Sequence, residues 1–238
     1  MTPVVMYEKK GAVGLITLNR PERRNAITQQ LLTELFDCVE KGDNDNDVGA
    51  LVLCGQGTSF CSGIDLDCLA TDNLVNPRGD GKDMVDVFQE CATPVIGAVS
   101  GYAVTGGFEL ALNCDFLIAD DTAYFMDTHA KIGIHPGWGM TQLLQQAVGR
   151  RRALQISLTC EKVPAEKAFG WGLVNEVVPR EALLTRALEL AESIASVNRA
   201  MMHTVKTFIE VQSGAHVDEG LAREKSAFKT FASKALKC

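Results

Sequence analysis

The sequence lacks two features that would each point to a broad class of protein. No apolar run approaches the length of about 18 residues that a membrane-spanning helix requires, so we expect no membrane span. Basic residues do not predominate: 23 Lys and Arg stand against 30 Asp and Glu, which gives a net charge of −7. This balance excludes a generally basic nucleic-acid binder. An anionic ligand would need a local basic cluster or backbone N–H groups.

The eight cysteines include no CxxC pair, and most of them lie within apolar stretches. A free cysteine in such a stretch packs as a small hydrophobe, so the pattern predicts a reduced, intracellular protein. The chain runs from Met1 directly into a strand-like segment, and we expect neither a signal peptide nor a basic presequence. A cytoplasmic location is therefore the default expectation. A mitochondrial or other organelle location would follow if a transit peptide has been removed.

Several nucleotide-binding and catalytic motifs are also missing. Phe60 stands where a dinucleotide-binding fingerprint needs its third glycine, and Asp83 stands where a phosphate-binding loop needs Ser or Thr. Ser100 lacks the preceding glycine of a nucleophile elbow. His129 and His135 do not have the helical spacing of a zinc-binding pair. These absences argue against nicotinamide, ATP, α/β-hydrolase and zinc-hydrolase chemistry.

The apolar pattern predicts repeated strand–helix units. Helical periodicity follows Thr28, which we expect to cap a helix, and Gly106–Asn113 predicts a further short helix. From residue 180 onward the pattern is almost purely helical. This order predicts an α/β core with a C-terminal helical subdomain. The predicted strands are 4–9, 13–19, 50–54, 94–99 and 116–119.

Four segments, in a fixed order, carry the most specific signal. They are ITLNRPERRNA at Ile16–Ala26, FCSGIDL at Phe60–Leu66, GYAVTGGFELA at Gly101–Ala111 and GIHPGWG at Gly133–Gly139. Together they closely resemble the crotonase (enoyl-CoA hydratase/isomerase) superfamily over roughly residues 4–180.

The resemblance implies a fold, an assembly and a substrate class. The implied fold is a crotonase-type spiral of ββα units, and the implied substrate is an acyl-CoA thioester. Members usually assemble as homotrimers or as dimers of trimers. We therefore predict a spiral core with the CoA-binding and catalytic site over residues 1–180, and a helical oligomerisation tail over residues 181–238.

The resemblance also implies an oxyanion hole made by the backbone N–H groups of Ser62 and Gly106. Ser62 immediately precedes Gly63, and Gly106 lies three residues before Glu109. Glycine lets a thioester approach the backbone, and free N–H groups at a helix start favour a developing enolate oxygen. The alternative is that these glycines only permit tight packing of a strand against a helix.

Glu109 and His129 are the candidate catalytic residues. In hydratases of this family, a glutamate at the position of Glu109 works with a second glutamate to hold a water and move protons. His129 occupies the second position, and this is the largest departure from the hydratase pattern. An imidazole suits proton transfer near neutral pH, so His129 either replaces the missing acid or only lines the pocket. The alternative for Glu109 is a carboxylate that stabilises a helix start.

Arg20, Arg23 and Arg24 follow the second predicted strand, near the loop where the family binds the ADP portion of CoA. In a chain of net negative charge this cluster is a candidate phosphate site, and a solvated loop is the alternative. Coenzyme A would be part of the substrate, so we expect no separate cofactor and no metal. Nucleic-acid binding is not expected, because the segment 29–47 carries only Lys41 among several acidic residues.

These residues favour the reversible addition of water to 2-enoyl-CoA, which gives 3-hydroxyacyl-CoA through an enolate. Loss of the second carboxylate disfavours isomerases that shift a 3-enoyl double bond. Gly137 also stands where dienoyl-CoA isomerases carry an acid. The open alternatives are another enolate-forming reaction (isomerisation, decarboxylation or thioester hydrolysis) and a non-catalytic acyl-CoA-binding relative.

Overall fold

The computed structural model describes residues 3–214 and 217–235, and strands and helices alternate through most of it. The strands are β1 Val5–Lys10, β2 Val13–Leu18, β3 Ala50–Gly55, β4 Val95–Val99, β5 Tyr102–Val104, β6 Phe116–Asp120, β7 Tyr124–Met126, β8 Val163–Pro164 and β9 Glu176–Val178. The α-helices are α1 Gln29–Asp43, α2 Met84–Glu90, α3 Gly106–Leu112, α4 His129–Ile132, α5 Met140–Val148, α6 Arg150–Thr159, α7 Ala165–Gly170, α8 Leu183–Ala195, α9 Arg199–Gly214 and α10 Val217–Ala235.

The strands form two sheets. The main sheet has the order β1-β2-β3-β4-β6-β9, and the smaller sheet has the order β5-β7-β8. In the main sheet only the β1–β2 pair is antiparallel. Two successive units, β4-β5-α3 and β6-β7-α4, each give their first strand to the main sheet and their second to the smaller one. This repetition is the ββα spiral that the sequence motifs imply.

Helix α1 illustrates how the sequence determines the core. The Thr28 side chain accepts a hydrogen bond from the Leu31 N–H at 3.2 Å, so the predicted cap is confirmed. The apolar side chains that follow recur at helical spacing and are fully or almost fully buried against the main sheet: Leu31, Leu32, Leu35, Phe36 and Val39.

Helix α8 covers the other face of the main sheet. Its buried residues Leu183, Ala187 and Ala191 form a second apolar cluster with inward-facing residues of β2, β3, β4 and β6. Helix α9 is tied to the core by Lys206, whose Nζ lies 2.9 Å from Asp115. The segment after residue 180 therefore contributes to the core of its own chain. Its role in oligomerisation and the boundary at residue 180 stay predictions.

Several elements differ from the sequence-based expectation. The predicted strands are present with ends shifted by a residue or so, whereas the short strands β5 and β7 and the short helices α2 and α4 had no clear periodicity. Elements this short contain too few residues to define a period of 2 or 3.6. Among the residues described, none of the helices combines the length and apolar character that crossing a bilayer would need.

A close approach of two backbones joins the segment after β3 to the segment after β4. Cys61 pairs with Ala103 in a parallel bridge, and α3 begins three residues after Ala103, at Gly106. A Cβ atom on Gly107 would fall far inside van der Waals contact of the Cys61 carbonyl. Only glycine allows α3 to begin this close to the neighbouring segment.

We expect Gly107→Ala to destabilise the protein by about 3 kcal/mol or more, because the clashing atoms are backbone and cannot move aside as a side chain would. The matched control is Gly170→Ala at the end of α7, where a Cβ would meet no atom within 4 Å. We expect that change to be neutral within about 0.5 kcal/mol. Urea unfolding of both variants measures the difference, and equal stabilities would contradict the close approach.

Candidate active site

The start of α3 is fixed by a strained threonine. Thr105 has a φ of 51°, which is rare for a β-branched residue. Its N–H donates to the Met126 carbonyl at 2.8 Å, and its hydroxyl contacts the Thr128 hydroxyl and accepts from the Thr128 N–H. Several bonds therefore hold this conformation in place, as strain at a functional site requires. The Gly106 N–H that follows makes no hydrogen bond within the described part of the chain.

The structure corrects the prediction for Ser62. Its backbone N–H donates to the Arg24 carbonyl at 3.0 Å and is not available to a ligand. Of the next two backbone N–H groups, that of Gly63 contacts the Cys61 thiol, and that of Ile64 makes no hydrogen bond to any described residue. The parallel pairing of Cys61 with Ala103 places Ile64 beside Gly106, and Ile64 Cγ1 lies 3.4 Å from the position of a Cβ on Gly106.

Glu109 lies in the first turn of α3, and its side chain is almost completely buried. Three backbone N–H groups surround Oε1: those of Trp138 at 2.9 Å and Gly137 at 3.3 Å in the loop before α5, and that of Met140, the first residue of α5, at 3.3 Å. The loop is itself covered by α10, because a Cβ on Gly137 would lie 2.5 Å from the Phe228 ring. The backbone therefore fixes one carboxylate oxygen and leaves Oε2 for chemistry.

His129 and Asp127 complete a row of buried ionisable groups with Glu109. The Nε2 atom of His129 lies 3.6 Å from Glu109 Oε2, and its Nδ1 lies 2.7 Å from Asp127 Oδ1. The backbone N–H of His129 donates to the same Asp127 oxygen at 3.0 Å. The structure thus brings the two predicted catalytic residues together. Asp127 is a third member that the sequence analysis did not assign.

The charges of this row follow from its contacts. Burial disfavours a charged imidazole, but the hydrogen bond to Asp127 and the negative charge of the nearby Glu109 carboxylate outweigh it and raise the pKa of His129 to about 10. Burial alone would raise the pKa of Asp127, yet the bonds from His129 and from the Ser157 hydroxyl lower it. At neutral pH the row therefore holds an imidazolium beside the Asp127 carboxylate.

The three arginines do not form a single cluster. Arg20 is largely buried, pairs with Asp65 at 3.0 Å and donates to the Ala26 carbonyl. These contacts hold this loop together, and the binding of CoA phosphate by Arg20 stays a prediction. Arg23 is exposed and pairs with the exposed Asp67 at 3.1 Å, and Arg24 lies over the Tyr102 ring. A cleft of about 530 Å³ at the start of α1 is lined in part by Arg20 but by neither catalytic candidate.

The arrangement can support acid–base chemistry at a carbonyl compound. It offers a carboxylate, a charged hydrogen-bond donor and two unpaired N–H groups within adjoining segments. Within residues 3–214 and 217–235, no three His, Cys, Asp or Glu side chains are grouped so that they could hold a metal ion.

Comparison with known proteins gives consistent results. A family model described as enoyl-CoA hydratase/isomerase matches residues 8–237. A probable peroxisomal enoyl-CoA hydratase 1 of Arabidopsis thaliana is 36% identical over 219 residues, which cover 92% of this chain and 82% of that protein. The crystal structure of an enoyl-CoA hydratase from Mycobacterium avium superposes with a TM-score of 0.87 at 35% identity, covering 99% of this chain and 100% of that chain.

A solved structure with another activity is also similar. A monofunctional enoyl-CoA isomerase from M. smegmatis superposes with a TM-score of 0.75 at 31% identity, covering 93% of this chain and 99% of that chain. The general fold is therefore shared by hydratases and at least one isomerase, and the side chains of the site must distinguish the reactions.

We expect His129 to stabilise the fold at neutral pH and to lose this contribution at alkaline pH. Its folded-state pKa of about 10 lies above the value of about 6.5 in an unfolded chain, so the folded state holds the proton more tightly. The stabilisation is complete below about pH 6.5 and declines as the pH rises toward 10.

Urea unfolding of the wild type and of His129→Gln, at several pH values across this window, measures the effect. The gap in unfolding free energy should narrow as the pH rises. His203→Gln on α9 controls for the loss of an imidazole elsewhere in the chain. A gap that does not change with pH would show that His129 is not charged in the folded protein.

Proposed function

The chain belongs to the enoyl-CoA hydratase/isomerase family, and from this premise we propose that it hydrates 2-enoyl-CoA thioesters to 3-hydroxyacyl-CoA. The observation that carries the proposal is the pairing of Glu109 with His129. A buried carboxylate faces a buried imidazolium at 3.6 Å, so the base and the acid of a water addition stand side by side.

The unpaired N–H groups of Ile64 and Gly106 are suited to receive the thioester oxygen. Both belong to segments that run side by side, and neither makes a hydrogen bond to a described residue. As water adds, negative charge develops on that oxygen and strengthens both contacts. Loss of one such donor typically costs about 3 kcal/mol of transition-state stabilisation.

The proton transfers balance within the pair. Glu109 Oε2 removes a proton from water as the water oxygen bonds to the β-carbon, and the electron pair of the double bond moves into the enolate. The Nε2–H of His129 then gives its proton to the α-carbon, and the carbonyl re-forms. Glu109 returns the proton it accepted to Nε2 across the 3.6 Å gap. The net change is the addition of one water molecule.

The charge of His129 argues against double-bond isomerisation. An isomerase needs a base that removes a proton from one carbon before the proton is returned to another. With its pKa raised to about 10, His129 is already protonated at neutral pH, so it does not replace the missing second carboxylate as that base. Glu109 is then the base of the pair, and in the hydration proposed above it accepts the proton of water.

The CoA portion has two candidate contacts. Arg23 and Arg24 are exposed in a chain with a net charge of −7. Arg23 ends the 3-10 helix Pro21–Arg23, and the carbonyl of Arg24 accepts the N–H of Ser62, two residues before Ile64. We infer that they meet phosphate groups of CoA, because an exposed guanidinium can bind a phosphate with two parallel hydrogen bonds.

Helix α9 exposes an apolar stripe, which we define as Met201, Val205, Phe208 and Ile209. These residues recur at helical spacing on one face, and Phe208 is 70% exposed. Apolar patches of this kind mark interaction surfaces in monomeric folds. We infer that copies of the chain pack through this stripe as a homotrimer or a dimer of trimers.

We expect Glu109→Gln to lower kcat for crotonyl-CoA hydration by at least ~100-fold, because the amide cannot accept the proton from water. His129→Gln should lower kcat by a similar factor. Glu189→Gln, an exposed glutamate of α8, is the matched control and should retain activity.

Mass spectrometry of the product separates the alternatives in the same assay. Hydration adds one water to the intact thioester, isomerisation leaves the mass unchanged, and thioester hydrolysis releases free CoA. A wild-type protein that binds crotonyl-CoA and longer 2-enoyl-CoA esters but converts none of them would contradict the hydratase function.

We expect Phe208→Asp to shift the protein to smaller species in sedimentation velocity, because a charge in the apolar stripe would be buried on assembly. Phe169→Asp is the matched control, since Phe169 is an exposed phenylalanine of α7 outside the stripe. A wild-type protein that sediments as a monomer would contradict the assembly.

A further inference from the structure

Asp127 stands behind His129, on the side of the imidazole away from Glu109. One oxygen, Oδ1, lies 2.7 Å from His129 Nδ1 and also accepts the backbone N–H of His129 at 3.0 Å. Asp127 is only 2% exposed, and burial of an aspartate without a partner costs free energy. This burial and this double contact need a reason beyond the turn between β7 and α4.

The surroundings of His129 leave few groups that could act on its ring. Glu109 faces it from α3, and Asp127 faces it from the residues that precede α4. Helix α6 contributes the uncharged Ser157 hydroxyl, which bonds to Asp127. The carboxylate at Nδ1 therefore decides which ring nitrogen keeps its proton.

We propose that Asp127 is a positioning residue for the hydration reaction, which holds the Nδ1–H of His129 and directs Nε2 toward Glu109 and the substrate. This inference rests on the proposed function. Asp127 does not touch the reacting atoms. It acts through His129, as a buried aspartate orients the histidine of a catalytic triad.

The proton cycle shows why this matters. After Nε2 gives its proton to the α-carbon, the ring is neutral and retains only Nδ1–H, which Asp127 accepts at 2.7 Å. Nε2 is then the single vacant acceptor, and it faces the protonated Glu109. Nε2 therefore accepts the proton of Glu109 and the imidazolium re-forms. If Nδ1 lost its proton instead, Nε2 would keep its own proton and could not accept one from Glu109.

Asp127→Asn tests the proposal, because an amide can turn its NH₂ toward Nδ1 and favour the wrong tautomer. We expect kcat for crotonyl-CoA hydration to fall at least ~100-fold with KM changed only a few-fold. The alkaline limit of kcat should move to lower pH, since the imidazolium loses a neighbouring negative charge. In a His129→Gln background, Asp127→Asn should have no further effect on kcat.

Asp120→Asn is the matched control. Asp120 is also fully buried, but it lies at the end of β6 and bonds to Thr122 rather than to His129. This variant should keep the wild-type kcat and pH profile. An Asp127→Asn enzyme whose kcat falls with an unchanged alkaline limit, or whose effect adds fully to that of His129→Gln, would overturn the proposal.

Ring nitrogen NMR of His129 separates this inference from the proposed function. At pH 8 the wild-type spectrum should show both ring nitrogens protonated, and in Asp127→Asn the ring should titrate at lower pH. A wild-type His129 whose Nδ1 carries no proton at pH 8 would overturn the positioning role even if the variant does not fold. If the wild type hydrates no enoyl-CoA, the proposed function fails, and the positioning of His129 is still decided by the NMR titration.

Discussion

The site is organised around the almost completely buried carboxylate of Glu109. A carboxylate that is 1% exposed is stable only if hydrogen bonds and an opposite charge replace its hydration. The N–H groups of Trp138, Gly137 and Met140 supply the hydrogen bonds, and His129 supplies the opposite charge. The paths of α3, α4 and the loop before α5 are all constrained by this single group.

The buried Glu109 carboxylate also changes the charge of the histidine beside it. An isolated buried imidazole would stay neutral, since burial disfavours its charge. Between Glu109 and Asp127 it is instead the positive centre of the row, with a pKa of about 10. With His129 in place of the second carboxylate of the expected hydratase pair, the row places a positive charge beside Glu109.

Much of the molecule could be predicted from its sequence, because the relevant signals are local. The Thr28 cap and the buried face of α1 depend on neighbouring residues, and Gly106 and Glu109 share one motif. Ile64 was missed because the sequence does not show that the Ser62 N–H donates to the Arg24 carbonyl, a contact between segments far apart in the chain. The inward turn of Arg20 and the contact of Asp127 with His129 likewise depend on side-chain directions that spacing does not define.

The position of Phe228 over Gly137 has a consequence for the order in which the site is assembled during synthesis. Glu109 and the loop that donates to it leave the ribosome well before α10 does. Until α10 docks, the loop lacks the ring that covers it, and water still competes for its N–H groups. The surroundings of Glu109 are therefore completed late, once translation has passed Phe228 and α10 has docked on this loop.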